Sequence, residues 1–247
     1  MLAYFASDLH LKTLNERNAH LFLRFLRSLK KVQPTHLFLL GDLFDFWVGD
    51  HNFYEARFRP LVEAFLDLQA RGTEIVYFEG NHDVHVKKFW EGRHRIPVYV
   101  KPRVFEVDGL RLRMEHGDDI NPQDTLYFAY RDFIRSGPLE KLADRLPPRE
   151  FHVFGEFASR LSRRKSSRDR SNKEPWLREM IRSYACRQRS LENFDWIFTG
   201  HVHVRDEWSG ESFRSVNLGS WFDSPQVYRL EKTFGQVSAR FEFVAES

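Results

Sequence analysis

Five short polar clusters, each placed directly after an apolar run, constrain this chain more than any other feature. They are Asp8-Leu9-His10 after Leu2 to Ala6, Gly41-Asp42 after His36 to Leu40, Gly80-Asn81-His82-Asp83 after Ile75 to Phe78, His116-Gly117-Asp118 after Leu110 to Met114, and Gly200-His201-Val202-His203 after Trp196 to Thr199. Short apolar runs bounded by turn residues read as buried strands. In an α/β sheet the carboxyl ends of the strands open on one crevice, so clusters far apart in sequence can meet there.

The text between the first three runs has helical periodicity. Over Glu16 to Lys31, Leu21, Phe22, Phe25, Leu26 and Leu29 share one face, and Pro34 ends the pattern. Tyr54 to Arg71 forms a second amphipathic helix, with Phe58, Leu61, Val62, Phe65 and Leu68 inward and Gly72 just past its end. Strands alternating with helices predict parallel crossovers and an α/β class. Val104 to Val107 and Leu110 to Met114 then alternate about Asp108-Gly109, a dipeptide suited to the positive φ of a two-residue hairpin. Antiparallel pairing is expected to begin there.

From Pro122 to Leu191 the chain reads as mostly helical, broken at Gly137-Pro138 and Pro147-Pro148, with a basic, Ser-rich stretch from Arg160 to Lys173. This is an inserted helical cap, about 122–191, within a single domain spanning 1–247. Past it, runs at Trp196 to Thr199, Ser215 to Leu218, Gln226 to Leu230 and Val237 to Val244 return to strand character, so a second sheet is assembled from both sides of the cap.

A chain of 247 residues is long enough to bury a substantial core. The single cysteine, Cys186, excludes an intrachain disulfide and a thiolate metal cluster, fits a reducing compartment, and is expected to lie inert and buried on a helix. Met1 to Ser7 lacks a basic n-region and a small-residue cleavage site. No apolar run approaches the ~20 residues of a membrane-spanning helix. The expected location is therefore cytoplasmic, with any membrane contact peripheral. The net charge of +3 permits a phosphate-bearing partner without requiring one.

Extended backbone turns residues two apart to the same side, so Asp8 with His10, and likewise His201 with His203, are expected to reach one ion together. Imidazole, carboxylate and amide oxygen, with no thiolate, suit Mn²⁺, Fe²⁺ or Zn²⁺. Two ions ~3.5–4 Å apart could bind opposite oxygens of a phosphoryl group in an in-line displacement. Such a pair needs a bridging carboxylate, for which Asp42 is the candidate. The histidines at 20, 36, 51, 85, 94 and 152 fall in no cluster and receive no role.

The ordered series from Ser7 to His203 resembles the calcineurin-like metallophosphoesterases. The resemblance implies that family's fold: two mixed β-sheets packed as a sandwich, flanked by helices. It also implies two divalent metal ions, Mn²⁺ before Fe²⁺ or Zn²⁺. Asp8, His10 and His203 would hold one, Asn81 through its side-chain oxygen, His116 and His201 the other, and Asp42 would bridge. His82, beside Asp83, would act on the leaving oxygen.

Within the family the likeness is strongest to the UDP-2,3-diacylglucosamine pyrophosphatases of the lipid A pathway, which split a nucleotide pyrophosphate into an acylated sugar phosphate and UMP. Leu40 to Asp50 (LGDLFDFWVGD), His116 to Arg131 (HGDDINPQDTLYFAYR) and the helical cap carry it. The substrate contacts implied are Asn81, His82, Asp124, Tyr127 and, in the cap, Arg163, Ser166 and Lys173. Phe128, Phe133, Ile134, Phe151, Val153, Phe154 and Phe157 would cover acyl chains, at an anionic membrane surface on the inner face of the cytoplasmic membrane. Two departures stand against this: GNHD replaces the GNRD of that group's best-known branch, and the last cluster reads GHVHVR without the usual threonine and arginine-proline. The alternatives are a family hydrolase acting on another nucleotide or lipid diphosphate, a nuclease using the basic cap, and a non-catalytic scaffold. Nucleic acid is not the first choice of partner, and the oligomeric state stays open.

Overall fold

The structure, a computed structural model, describes residues 1–145 and 170–244. Its strands are β1 (Leu2–Ala6), β2 (His36–Leu40), β3 (Trp47–Val48), β4 (Glu74–Phe78), β5 (Asp83–Val84), β6 (Val98–Tyr99), β7 (Arg103–Val107), β8 (Leu110–Met114), β9 (Trp196–Thr199), β10 (Arg205–Ser209), β11 (Arg214–Leu218), β12 (Gln226–Thr233) and β13 (Gln236–Phe243). The helices are α1 (Arg17–Val32), α2 (Asn52–Arg57), α3 (Arg59–Ala70), α4 (Thr125–Ile134), α5 (Gly137–Arg145) and α6 (Arg170–Leu191), with a π-helical turn at Lys88–Arg93.

Two mixed sheets result, a six-stranded one in the order β13-β12-β1-β2-β4-β6 and a five-stranded one in the order β10-β11-β9-β8-β7. β1, β2, β4 and β6 run parallel, as strand–helix alternation requires, and β7 and β8 form the expected hairpin, with Asp108 and Gly109 both at positive φ. Two expectations change. The last two strands do not extend the second sheet, because β12 pairs antiparallel with β1 and carries β13 to the edge of the first. The second expected helix is also two, α2 and α3, parted at Phe58 just ahead of Pro60, whose ring is tolerated in a first helical turn but not inside one.

Alternation along the strands sorts the core. Phe5, Phe38, Val76, Phe78 and Tyr228 face Leu112, Met114, Trp196, Phe198 and Val216 between the sheets. The rings of Phe5 and Phe198 stack across that gap at 3.8 Å. The opposite residues, Tyr4, Ala6, Leu37, Leu39, Ile75 and Tyr77, pack under α1 and α3. On the far side Ile181, Tyr184 and Ala185 of α6 cover Ile197, Val204 and Phe213. Cys186, next in the chain, turns outward and is exposed, contrary to expectation. Ile134 of α4 and Ala143 of α5 pack on Val48 and Val84 of the small β3–β5 pair, which sets these helices beside the carboxyl-end loops.

Candidate metal centre

The five clusters meet at the carboxyl ends of β1, β2, β4, β8 and β9, but the backbone there is not extended. Asp8, His10, Asp42, His201 and His203 take φ of 54°, 50°, 53°, 66° and 61°. Such left-handed non-glycine residues cost on the order of 1–3 kcal/mol each and persist only where their surroundings over-determine them. Here the first two loops are laced together: Asp8 N donates to the Gly41 carbonyl at 3.1 Å and His10 N to that of Asp42 at 3.0 Å. Close approach also dictates glycine at two points. A Cβ on Gly80 would lie 2.0 Å from Asp42 Oδ1, and one on Gly200 2.1 Å from Ser7 Oγ.

Donor atoms gather in two groups, with a smaller set of His10, Asp45 and His82 adjoining the first. In the first, Asp8, His10, Asp42 and His203 each bring a ligand atom within 4.8 Å of the others. His10 Nε2 and His203 Nε2 stand 3.1 Å apart, and His203 Nε2 is 3.1 Å from Asp8 Oδ1. In the second, Asn81 Oδ1 lies 3.1 Å from His201 Nδ1 and 3.3 Å from His116 Nε2. Asp42 stands between them, its Oδ2 being 3.8 Å from His10 Nε2 and 3.6 Å from His116 Nε2. Its Oδ1 is held by the backbone amides of Asn81 and His82, each at 2.9 Å. His201 and His203 thus part to different groups, against the simple reading of their spacing.

Buried charge shows what this arrangement calls for. Asp8 and Asp42 are almost wholly buried. Burial alone would raise Asp42, yet His116, His82 and His10 hold its carboxyl well below the ordinary range. Burial would likewise lower His116, but Asp42, with Asp118 and Asp8, pushes it up to about 10. His201 falls to about 4 through burial and the neighbouring His116 charge. The carboxylates around His116 therefore favour positive charge at that point, as they would favour a cation. His116 Nδ1 donates to the Leu40 carbonyl at 2.7 Å, which fixes the ring and turns Nε2 inward, as is usual for a metal-ligating histidine. Carboxylates, imidazoles and one amide oxygen, without sulfur, fit a borderline divalent ion.

The remaining predicted residues separate by position. His82 is part-buried, its Nδ1 donates at 2.9 Å to the Asp45 carbonyl rather than to Asp83, and its Nε2 stands 4.0 Å from Asp42 Oδ2. Asp83, expected beside it in the chemistry, is fully buried and does not face the cleft. Its carboxylate accepts the amides of Asp42, Gly80 and Leu43 and the Tyr77 hydroxyl, so it organises the loops. Asp124 caps α4 through the Tyr127 amide at 3.0 Å. The Tyr127 hydroxyl donates to Asp118 and lies 3.4 Å from Asn81 Oδ1. Lys173 is exposed in the first turn of α6, while Arg163, Ser166, Phe151, Val153, Phe154 and Phe157 lie outside the described residues.

Three neighbours of the centre had received no role. Asp118 joins His116 and His201 in the second group, and its presence in the His116-Gly117-Asp118 cluster was the available signal. Arg135 Nη2 pairs with Asp118 Oδ2 at 2.8 Å, and nothing in its local sequence distinguishes it from other helix-end arginines. Phe222, 46% exposed, stacks on the His10 ring at 5.2 Å, carried there by a loop in which the Trp221 amide donates to the Asp8 carbonyl.

Comparison with known proteins agrees with this geometry. The UDP-2,3-diacylglucosamine hydrolase of Neisseria meningitidis is 29% identical over 93% of this chain and 94% of its own length. The Vibrio atlanticus protein of the same name is 25% identical over 98% and 100%. The solved structure of an archaeal phosphodiesterase superposes with a TM-score of 0.51 at 13% identity, covering 98% of this chain and 100% of that one, a likeness of fold. Residues 1–205 match the calcineurin-like phosphoesterase family, a stretch that includes every donor described above, and the chain belongs to that family.

Proposed function

We propose that the chain hydrolyses the pyrophosphate bond of UDP-2,3-diacylglucosamine to an acylated sugar 1-phosphate and UMP, at a two-metal centre held by Asp8, His10 and His203 on one side, Asn81, His116 and His201 on the other, and Asp42 between. What carries the reading is the extent of the match to relatives named for that substrate: at 93% of the chain it extends into the 122–191 stretch as well as the donor loops. The exposed face of α4 supports it. Leu126, Tyr130 and Phe133, spaced to share one side of that helix, remain 79%, 46% and 64% exposed on the element that brings Tyr127 to the centre. An apolar strip so close to a polar site suits a substrate with acyl chains.

Bound divalent ions, Mn²⁺ by preference and Fe²⁺ or Zn²⁺ through the same donors, supply Lewis acidity toward phosphoryl oxygens and acidify water. The chain's own residues do the rest. Asp8 is fixed by Ser7 Oγ at 2.6 Å and by the His201 amide, so its charge is aimed without reorganisation. His82 Nδ1 is committed as a donor to Asp45, so Nε2 releases a proton to the leaving oxygen only from the imidazolium form and accepts one in the neutral form. We assign the 122–191 stretch the role of a cap, in which Arg163, Ser166 and Lys173 meet the polar part of the substrate, and place the enzyme in the cytoplasm against the anionic inner face of the membrane. Among the described residues no helix is long and apolar enough to cross a membrane.

The test is Mn²⁺-supplemented hydrolysis of UDP-2,3-diacylglucosamine beside bis-p-nitrophenyl phosphate, followed by product release. UMP and an acylated sugar phosphate are the expected products. Cleavage of the generic diester alone would leave the metal chemistry standing and remove the lipid substrate.

A further inference from the structure

Asp118 is the joint through which α4 meets the centre. One of its oxygens accepts the Tyr127 hydroxyl, and the other accepts Arg135 Nη2 at 2.8 Å. Arg135 is the residue just past the end of α4, and the same nitrogen lies 3.3 Å from the Gly80 carbonyl oxygen and 3.5 Å from that of Glu79, the two residues ahead of Asn81. One permanently charged group therefore meets oxygens from the loop after β4 and the loop after β8. The Arg135 side chain is 18% exposed and that of Asp118 9%, so water screens the pair weakly. The helix end that carries it is pinned a second time, since His85 Nε2 donates to the Ile134 carbonyl at 2.8 Å.

We propose that Arg135 is a positioning residue for the Asn81–His116–His201 half of the centre: by tying the Gly80 carbonyl to Asp118 it holds the Asn81 side-chain oxygen at its place between the two imidazoles. The inference rests on the metal centre of the proposed function and not on the lipid substrate. Arg135 touches Asp118 and the backbone, but none of Asn81 Oδ1, His116 and His201, so it acts on them through Asp118 and the Asn81 peptide. Without it, Asp118 loses its guanidinium partner and keeps the Tyr127 hydroxyl and the more distant His201 Nδ1 at 3.9 Å, and the Gly80 carbonyl ahead of the Asn81 peptide loses this contact. Of the first group, Asp8, His10 and His203 share none of these contacts, while Asp42 meets the Asn81 amide from the other side. Lysine in its place could still neutralise Asp118, but its ammonium is a rotating point charge, whereas the planar guanidinium holds the two N–H bonds of Nη2 in fixed directions.

The experiment is calorimetric titration of the metal-free full-length protein with Mn²⁺, for the wild type, Arg135→Ala and Arg135→Lys, with melting of the metal-free forms alongside. The wild type should take up two ions. Arg135→Ala should bind one as the wild type does and the other about 10- to 100-fold more weakly, the usual cost of losing an outer-shell partner. Arg135→Lys should fall between. Hydrolysis of bis-p-nitrophenyl phosphate by Arg135→Ala should recover as Mn²⁺ is raised. Wild-type affinity at both sites in Arg135→Ala would overturn the inference, as would equal weakening of both ions together with a lowered melting temperature in both variants. A wild type that takes up no Mn²⁺ would overturn the metal centre itself, whereas failure on UDP-2,3-diacylglucosamine alone would leave this inference intact.

Discussion

Asp83→Ala should destabilise the protein and loosen the metal centre, although Asp83 touches no group that could meet a substrate. Its carboxylate accepts Gly80 N at 2.8 Å and Asp42 N at 2.9 Å on one oxygen, and Leu43 N at 2.9 Å and the Tyr77 hydroxyl at 2.6 Å on the other. Alanine leaves three buried amides without an acceptor, at about 1–3 kcal/mol each. Two effects offset part of that. Burial and the nearby Asp42 push the Asp83 carboxyl up to about 6, so its removal relieves repulsion, and the space it vacates admits water. The net cost should be about 3–5 kcal/mol, a large share of the roughly 5–15 kcal/mol that holds a domain folded. Tyr77→Phe removes a single donor to the same carboxylate and should cost about 1.5–3 kcal/mol. Urea unfolding of the metal-free variants measures both, and Mn²⁺ titration reports the centre. A loss below about 1 kcal/mol in Asp83→Ala, with wild-type uptake of two ions, would refute the view that this carboxylate organises the loops bearing Asp42 and Asn81.

Metal binding should raise stability by mass action, about 2.7 kcal/mol at a hundredfold excess over the dissociation constant, so chelation should lower the wild-type melting temperature. In Asp42→Ala, which lacks the carboxylate between the two groups, added Mn²⁺ should restore little of that shift and turnover should be lost; a full shift with near-normal turnover would remove Asp42 from the centre. Tyr127→Phe should slow UDP-2,3-diacylglucosamine and bis-p-nitrophenyl phosphate alike, by about tenfold for a hydrogen bond to a charged acceptor, because its hydroxyl is spent on Asp118. Slowing confined to the lipid would make it a substrate contact.

What the sequence made legible and what it hid divide along a physical line. Apolar runs mark strands because β1, β2, β4 and β9 are buried on both faces, and the residue following each run marks the strand end, so the meeting place of the five clusters could be read directly. The short β3, β5 and β6, by contrast, have two residues each, too few to show a period. Asp83 and His82 illustrate a further limit, since which of two adjacent polar residues faces the cleft and which turns into the protein depends on partners such as Tyr77 and Asp45 that no local pattern announces. Arg135 is hidden for the same reason, its partners lying at positions 79, 80 and 118.

The grouping of the donors follows from backbone geometry that period-two reasoning leaves out. In a continuing strand His201 and His203 would point the same way. Both instead take left-handed φ immediately past β9, which sends His203 toward Asp8 and His201 toward Asn81. Asp8 and His10 adopt the same kinks yet stay within one group, because the loop after β1 is hydrogen-bonded alongside the loop after β2 through Gly41 and Asp42. An identical spacing thus delivers two side chains to one site in one loop and to two sites in another, and the difference lies in what each loop is fastened to. The strain in these residues is concentrated where the donors are, and a bound cation would meet there the same carboxylates, Asp42, Asp118 and Asp8, that favour positive charge on His116.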